Sequence, residues 1–462
     1  MKRIHTLAGL LALTLALSTH ARDWHVAATG DDANDGKSPQ SPLRSLQKVD
    51  SLVQPGDVVL VAPGIFASAD AADKADGGAL LHIRSSGKPG AWITWKALPA
   101  TSTGQVVELR PTGWAGIQIT GSYHIIDGFT LTGANDSLTL TKAQEDAKKP
   151  KPDATFNTNG ILVEGRRNRP DAKPHHITIR NCVVSKMPGG GITALEADHI
   201  TIEDNQVFDN AWFMRYAGSG ITLLNNWTFD DAPGYHVVIQ RNKVWNNKTL
   251  VAWERTGKLS DGNGILLDVT DLETGAGATN PNADAVTQSK PDASSELRSV
   301  GKRPPWTARA LIANNLSAFN GGSGIHTFRT AHVDIVNNTT YWNGGIVGYE
   351  ELFANRSDDV VIVNNIIVPR PGGRVTSNNR NNNVRWDHNL YPVAQNTVKG
   401  DNDIVADPQF VNIQEDLRKA DFRLRPGSRG IDSGAALLPQ AVDLNSKKRP
   451  QGAGRDRGAY EQ

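Results

Sequence analysis

Residues 252–268, AWERTGKLSDGNGILLD, place an acid (Glu254), two bases (Arg255 and Lys258) and an Asp-Gly-Asn turn at 261–263 directly before an apolar run that ends at Asp268. An earlier stretch, AWFMRYAGSG, carries Arg215 and Tyr216 ahead of a similar Gly-Ile pair. Lysine, tyrosine and carboxylate side chains are the types that exchange protons with a reacting group. Asp261 and Asp268 offer a second chemistry, since paired carboxylates serve as acid and base, or acid and nucleophile, in glycoside hydrolysis. Tyr216 lies four residues before Gly220 and Lys258 six before Gly264, so aligning the two glycines brings the pair together.

The alignment rests on a repeat. HITIRNCVVSKMPGGGITAL, HITIEDNQVFDNAWFMRYAGSGITLL, HVVIQRNKVWNN, ALIANNLSAFNGGSGIHTF, HVDIVNNTTYWNGGIVGY and DVVIVNNIIV each hold a β-branched alternating strand, an asparagine and a second short strand. Most then open a third strand with Gly-Ile. The asparagines Asn181, Asn205, Asn242, Asn315, Asn338 and Asn365 are 24, 37, 73, 23 and 27 residues apart. Three of these gaps fit one coil of a parallel β-helix, and the others fit coils with longer loops. A propeller blade needs about 40–45 residues, more than the short gaps allow. Asparagine suits the corners, where it tolerates left-handed backbone and bonds locally. The fold class expected is therefore all-β, a right-handed parallel β-helix.

In such a solenoid the Gly-Ile pairs define an inward column, Ile161, Ile192, Ile221, Ile265, Ile325 and Ile346. Alternation then points Thr222, Asp268 and His326 outward. With Ser219 and Asn263, each two residues before its isoleucine, they predict a polar patch on one face. The residues from Arg255 to Asn263 would flank a groove at the corner entering that face.

The ends and interruptions fit the same picture. Leu43, Leu46, Val49 and Leu52 are in phase for an N-terminal capping helix. The turn Asp31–Gly36 reads as an Asx turn, with calcium binding the alternative. Residues 139–158 and 270–307 lack any strand pattern and read as long loops, the second carrying Trp306 either as a sugar-stacking ring or as a cover for the loop base. Lys2 and Arg3 precede an apolar run, Leu7–Leu17, and small residues follow, the layout of a signal peptide over residues 1–21. That run is shorter than the roughly 20 residues that span a bilayer. Residues 22–462 then form one domain, secreted or periplasmic, not membrane-bound, and monomeric. Cys182 is the only cysteine, so no internal disulfide holds it, and a net charge of +1 argues against a nucleic-acid partner. A locally basic groove for a polyanion remains compatible with that total.

The stretch from AGSGITLL through GYHVVIQRNKVWNNKTLVAWERTGKLSDGNGILLD to GGSGIHTF resembles a group of bacterial β-helix polysaccharide lyases, most closely the alginate lyases of polysaccharide lyase family 31. The resemblance is specific over residues 210–345 and elsewhere extends only to the fold. It implies a Lys/Tyr catalytic pair, for which Lys258 and Tyr216 match by motif position, with Lys248 in WNNKTLV a competitor for the lysine. β-Elimination from a uronic-acid polymer requires a neutraliser for the carboxylate, a base for the adjacent proton and an acid for the leaving oxygen. The resemblance favours Lys258 as base and Tyr216 as acid, with the exchanged roles also open. Asn263, His326, Arg255 and Arg215 are the candidates for stabilising the intermediate. The expected partner is an acidic polysaccharide, with alginate leading.

Other classes stay open at this level. Asp261 and Asp268 suit a hydrolase. Acidic groups including Glu164 and Asp204 suit a calcium ion of the kind pectate lyases use, although no dense Asp cluster is evident and the expectation is neither metal nor cofactor. A binding solenoid without activity would share the polar ladder but have no need of the Lys/Tyr pair.

Overall fold

The computed structural model describes residues 21–67, 78–166, 168–271, 305–436 and 441–462. The signal-peptide segment and residues 272–304 of the second loop lie outside them.

The described strands form three parallel sheets of 11, 11 and 9 strands and one two-stranded antiparallel sheet, Phe410–Asn412 with Asp421–Leu424, near the C-terminal end. Each coil runs from the first sheet to the second, then the third, and returns; Asp198–Glu203, Gln206–Phe208 and Ile221–Leu224 make one such coil. Short β-branched strands cannot bury a face alone, and stacking gives every strand neighbours above and below. The inward faces make one continuous core, running from Val26 through Ile126, Ile179, Ile239 and Ile312 to Ile362. This is the right-handed parallel β-helix expected.

The corners between the first two sheets are held by asparagines. Asn205, Asn242, Asn315, Asn338, Asn365 and Asn389 are buried, and each Oδ1 accepts from the backbone N–H and, in most rungs, the Nδ2 of the rung before, at 2.8–3.1 Å. Asn181 is outside this ladder. Cys182 takes its place, donating its N–H to Asn205 Oδ1, and Asn181 occupies the left-handed position one residue earlier (φ 55°). The ladder asparagines are thus not the left-handed residues; their predecessors Asp204, Arg241, Asn314, Asn337 and Asn364 are.

The inward column of the third sheet is Ile161, Ile192, Ile221, Ile265, Ile325 and then Leu352, with Ile346 exposed in a loop. The correction follows from coil length: where no long loop intervenes the third-sheet strand starts six residues before the next first-sheet strand, as Ile192 does before Asp198, Ile325 before Ala331 and Leu352 before Asp358. Gly-Ile recurs where the next coil approaches too closely for a side chain before the strand. A Cβ on Gly264 would lie 2.6 Å from the Gly324 carbonyl oxygen of the next coil.

Helix α1, Leu46–Asp50, caps the N-terminal end and is shorter than the apolar phase suggests. Ser45 is its N-cap, so Leu43 precedes the helix and bridges to Val26 instead. The Asp31–Gly36 segment uses Asp31 and Asp35 to accept from the amides two residues on, as Asx turns do. The 139–158 segment is more ordered than a loop: α2, Leu140–Asp146, starts at the N-cap Thr139. Trp306 is buried and donates to the Ala331 carbonyl, covering the loop base rather than offering a ring to a sugar.

Candidate active site

The corner between the second and third sheets is built on a second ladder. Met187 N–H donates to Asn210 Oδ1, and the chain of bonds continues through Asn247, Asn320 and Asn343 to the carboxylate of Glu351. All five acceptors are buried, and burial pushes the Glu351 carboxyl up to about 8.

On this base two loops run side by side. The amides of Lys248, Leu250, Glu254 and Gly262 donate to the carbonyls of Asn210, Trp212, Arg215 and Gly218, at 2.8–3.1 Å. Between the last two of these bonds one coil has only residues 216–217, whereas the other has 255–261. The surplus leaves the surface as a hairpin in which Trp253 N–H bonds the Lys258 carbonyl and Gly257 takes a positive φ. Tyr216 is thereby at the foot of the hairpin, and Lys258, exposed, is the residue that pairs with Trp253 to close it.

Arg215 and Arg255 differ in setting. Arg215 is buried, ion-paired to Glu254 at 2.5 Å and bonded to the Lys149 and Asp146 carbonyls, which ties α2 to the hairpin. Its guanidinium is 5.8 Å from the Tyr216 ring centre. Arg255 is half-exposed on the hairpin, 5.7 Å from the Trp253 ring. Lys248 lies 4.5 Å from the Trp212 ring, and burial lowers its pKa against the opposing carboxylates of Asp209 and Glu415.

Beneath the hairpin is a buried polar relay. Asn263 donates from Nδ2 to Ser219 Oγ and Asp261 Oδ1, and its Oδ1 accepts from Ser323 N and Oγ at 2.9 and 3.0 Å. The Ser323 hydroxyl, having given its proton to Asn263, accepts from His326 Nδ1 at 2.6 Å. Burial holds His326 neutral by pushing its pKa down to about 3, and the ring stacks on Phe353 at 4.6 Å. Burial pushes the Asp261 carboxyl up to about 7, Asn263 being the group that opposes the shift.

The predicted patch is therefore not an open surface. Ser219, Asn263 and His326 are buried, while Thr222 and Asp268 keep partial exposure. The long corner loops supply the cover, and with it a further aromatic residue. Tyr349, in the loop before Leu352, contacts Ser260 at 3.3 Å, and its ring is 5.9 Å from His326. Burial and the Asp261 charge raise its pKa.

Asp261 and Asp268 are at opposite ends of their segment, one at the corner and one closing strand Ile265–Asp268, which at about 3.3 Å per residue puts Asp268 ~10 Å beyond Ile265. Glu164 and Asp204 do not meet: Glu164, on the third sheet, pairs with Arg166, and Asp204, at a first-sheet corner, with Arg241.

Comparisons with known proteins agree with the architecture. The family model described as right handed beta helix region matches residues 112–274. No curated protein matches the chain by sequence. Among solved structures, pectate lyase Pel9A superposes with a TM-score of 0.53 at 17% identity, covering 96% of each chain. A rhamnogalacturonan lyase gives 0.44 at 14% identity, over 86% of this chain and 92% of that one. An alginate lyase from Paenibacillus sp. str. FPU-7 gives 0.35 at 13%, over 75% and 94%. The chain is a right-handed parallel β-helix protein. No helix among the described residues is long and apolar enough to cross a membrane.

Proposed function

We propose that this protein depolymerises a uronic-acid polysaccharide by β-elimination, with alginate the leading substrate. The observation that carries the reading is the hairpin at 253–258, whose flanking amides Glu254 and Gly262 bond the Arg215 and Gly218 carbonyls on either side of Tyr216, which supports a shared corner for Lys258 and Tyr216. The solved lyases on this fold support the class.

In the reaction, Lys258 takes the proton from the carbon bearing the carboxylate, and the freed electron pair forms a C–C double bond. The glycosidic bond at the neighbouring carbon breaks, and its oxygen leaves with the Tyr216 hydroxyl proton. Arg255 neutralises the substrate carboxylate, which makes the proton acidic enough to remove. Arg215 holds Glu254, and the relay from Asp261 through Asn263 and Ser323 to His326 keeps the corner rigid. Export through the N-terminal apolar segment delivers the enzyme to its polymer.

Lys248 is the second candidate for the base, favoured by its lowered pKa and its place on the Trp212 ring. Hydrolysis by Asp261 and Asp268 is disfavoured, because the two carboxylates belong to opposite ends of one strand segment.

The test is ultraviolet absorbance of protein incubated with alginate, pectate and glycosaminoglycans, with and without chelator. A rise on alginate unaffected by chelator supports the proposal. New reducing ends without absorbance mean hydrolysis, and silence on every polymer with retained binding means a non-catalytic solenoid.

A further inference from the structure

The strongest group of metal-ligating side chains outside the candidate active site is on the first sheet, across the third sheet from it. His176, His199 and His236 occupy equivalent positions on three consecutive strands, since their neighbours Ile177, Ile200 and Val237 are in register. Their rings stack at 4.0 and 3.9 Å. The loop following strand Ile221–Leu224 brings Asp230 over the column, with Oδ1 2.9 Å from His199 Nε2.

We propose that His176, His199 and Asp230 form a binding site for a divalent transition metal of the zinc type. One ligand atom from each lies within 4.8 Å of the other two, and all three residues are partly exposed. Two imidazoles and one carboxylate are a donor set for zinc and its first-row neighbours rather than for calcium or magnesium, which take oxygen shells.

The surroundings hold the ligands as supporting shells do. His176 Nδ1 bonds His175 Nδ1 at 2.7 Å, and the His175 ring stacks on Phe229 at 3.7 Å. Asp230 Oδ1 also accepts from Ala232 N–H at 3.1 Å, while Asp198 takes the Phe229 amide at 2.5 Å, so the loop is clamped on both sides of Asp230. His236 is the supporting member rather than a ligand. Its Nδ1 faces Asp198 at 2.9 Å and its Nε2 the Ala232 carbonyl at 3.0 Å, so both nitrogens donate and neither offers a lone pair. A cleft of about 390 Å³, lined by Asp230, His236, Arg309 and His332 among others, opens beside Asp230 and leaves room for water to complete the shell.

A metal must lie in the plane of each ring it binds. Loading therefore replaces the His199–Asp230 hydrogen bond with two metal bonds and turns His176 and His199 out of their parallel stack.

The site is independent of the elimination chemistry, and its test reads metal directly. The full chain is stripped with chelator, titrated with Zn²⁺ by calorimetry at neutral pH, and its metal content measured after gel filtration. One Zn²⁺ per chain is expected, lost in His199→Ala and weakened at least tenfold in Asp230→Asn, a loop substitution that leaves the sheet intact. His175→Ala should weaken binding roughly 10- to 100-fold as a supporting residue. His332→Ala, on the same cleft, should bind as the parent does. No uptake by the parent, or uptake of one ion that survives both His199→Ala and Asp230→Asn, overturns the proposal.

Discussion

His326 Nδ1 lies 2.6 Å from Ser323 Oγ, and that hydroxyl is in turn 3.0 Å from Asn263 Oδ1. Because the asparagine oxygen can only accept, the hydroxyl proton goes to it and the imidazole must donate from Nδ1. The ring is thereby fixed as one neutral tautomer, with its pKa pushed down to about 3 by burial. An unfolded histidine titrates near 6.5. The unfolded chain therefore binds a proton that the folded chain refuses, and stability is full above about pH 6.5 and falls as pH drops toward 3. Thermal melting between these limits should flatten in His326→Gln relative to the parent.

Asp261 and Glu351 push the other way. Burial raises their carboxyls to about 7 and about 8, far above the ordinary value near 4. Between about pH 4 and these values the folded chain keeps protons that the unfolded chain releases. The stabilisation is whole below pH 4 and is lost as pH rises through 7 to 8. Asp261→Asn and Glu351→Gln should each remove part of this alkaline-side loss, measured as a smaller drop in Tm from pH 5 to 9. An undiminished drop in both variants would mean that the carboxyls are ionised in the fold.

The first asparagine ladder predicts a stability cost that depends on position. Asn242 donates to the Ile202 and Gln240 carbonyls and to Asn315 Oδ1, and accepts from Asn205. Asn242→Ala leaves several buried groups unpaired, at about 1–3 kcal/mol each. Asn181→Ala, outside the ladder, loses one exposed bond to Asp127 and should cost less, chiefly through its positive φ. Urea unfolding of the two variants should rank them in that order.

These contrasts show what was legible from sequence and what was not. The coils were readable because Ile177, Ile200, Val237 and their kin repeat with β-strand alternation around a recurring asparagine, a pattern that few folds share. The ladder was misplaced by one residue in the first coil because Asn181-Cys182 puts its asparagine at the left-handed position, whereas Asn337-Asn338 fills both. The inward column failed at Ile346 because Gly-Ile there belongs to a loop, and the real strand, LFAN, carries no glycine before Leu352. Ser323 shares with Ser219 and Asn263 the position two residues before a column isoleucine, but its bond to Asn263, 60 positions away, and the contact of Tyr349 with Ser260, 89 positions away, arise only from the stacking of coils. The histidine column was legible in the aligned repeats HITIRN, HITIED and HVVIQR, which begin with His176, His199 and His236, but the Asp230 that turns it toward a ligand comes from a loop with no repeat signal.

The proposed chemistry makes the sharpest kinetic prediction, because two lysines flank one corner in different ways. Lys258 rides the exposed hairpin, and its removal touches no described core contact. Lys258→Ala should therefore lower kcat by about 10²–10⁴-fold, the usual worth of a proton-transfer group, with little change in KM or melting temperature. Tyr216→Phe keeps the ring beside Arg215 and removes only the hydroxyl, so it should show the same signature. Lys248→Ala strips a cation from the Trp212 face and should change stability modestly with kcat within a few-fold. If instead Lys248→Ala abolishes kcat while Lys258→Ala retains it, the base is the half-buried lysine with the lowered pKa, and the hairpin is a substrate-binding wall. Activity surviving in both lysine variants would exclude a lysine base and turn attention to Tyr216 as the proton acceptor.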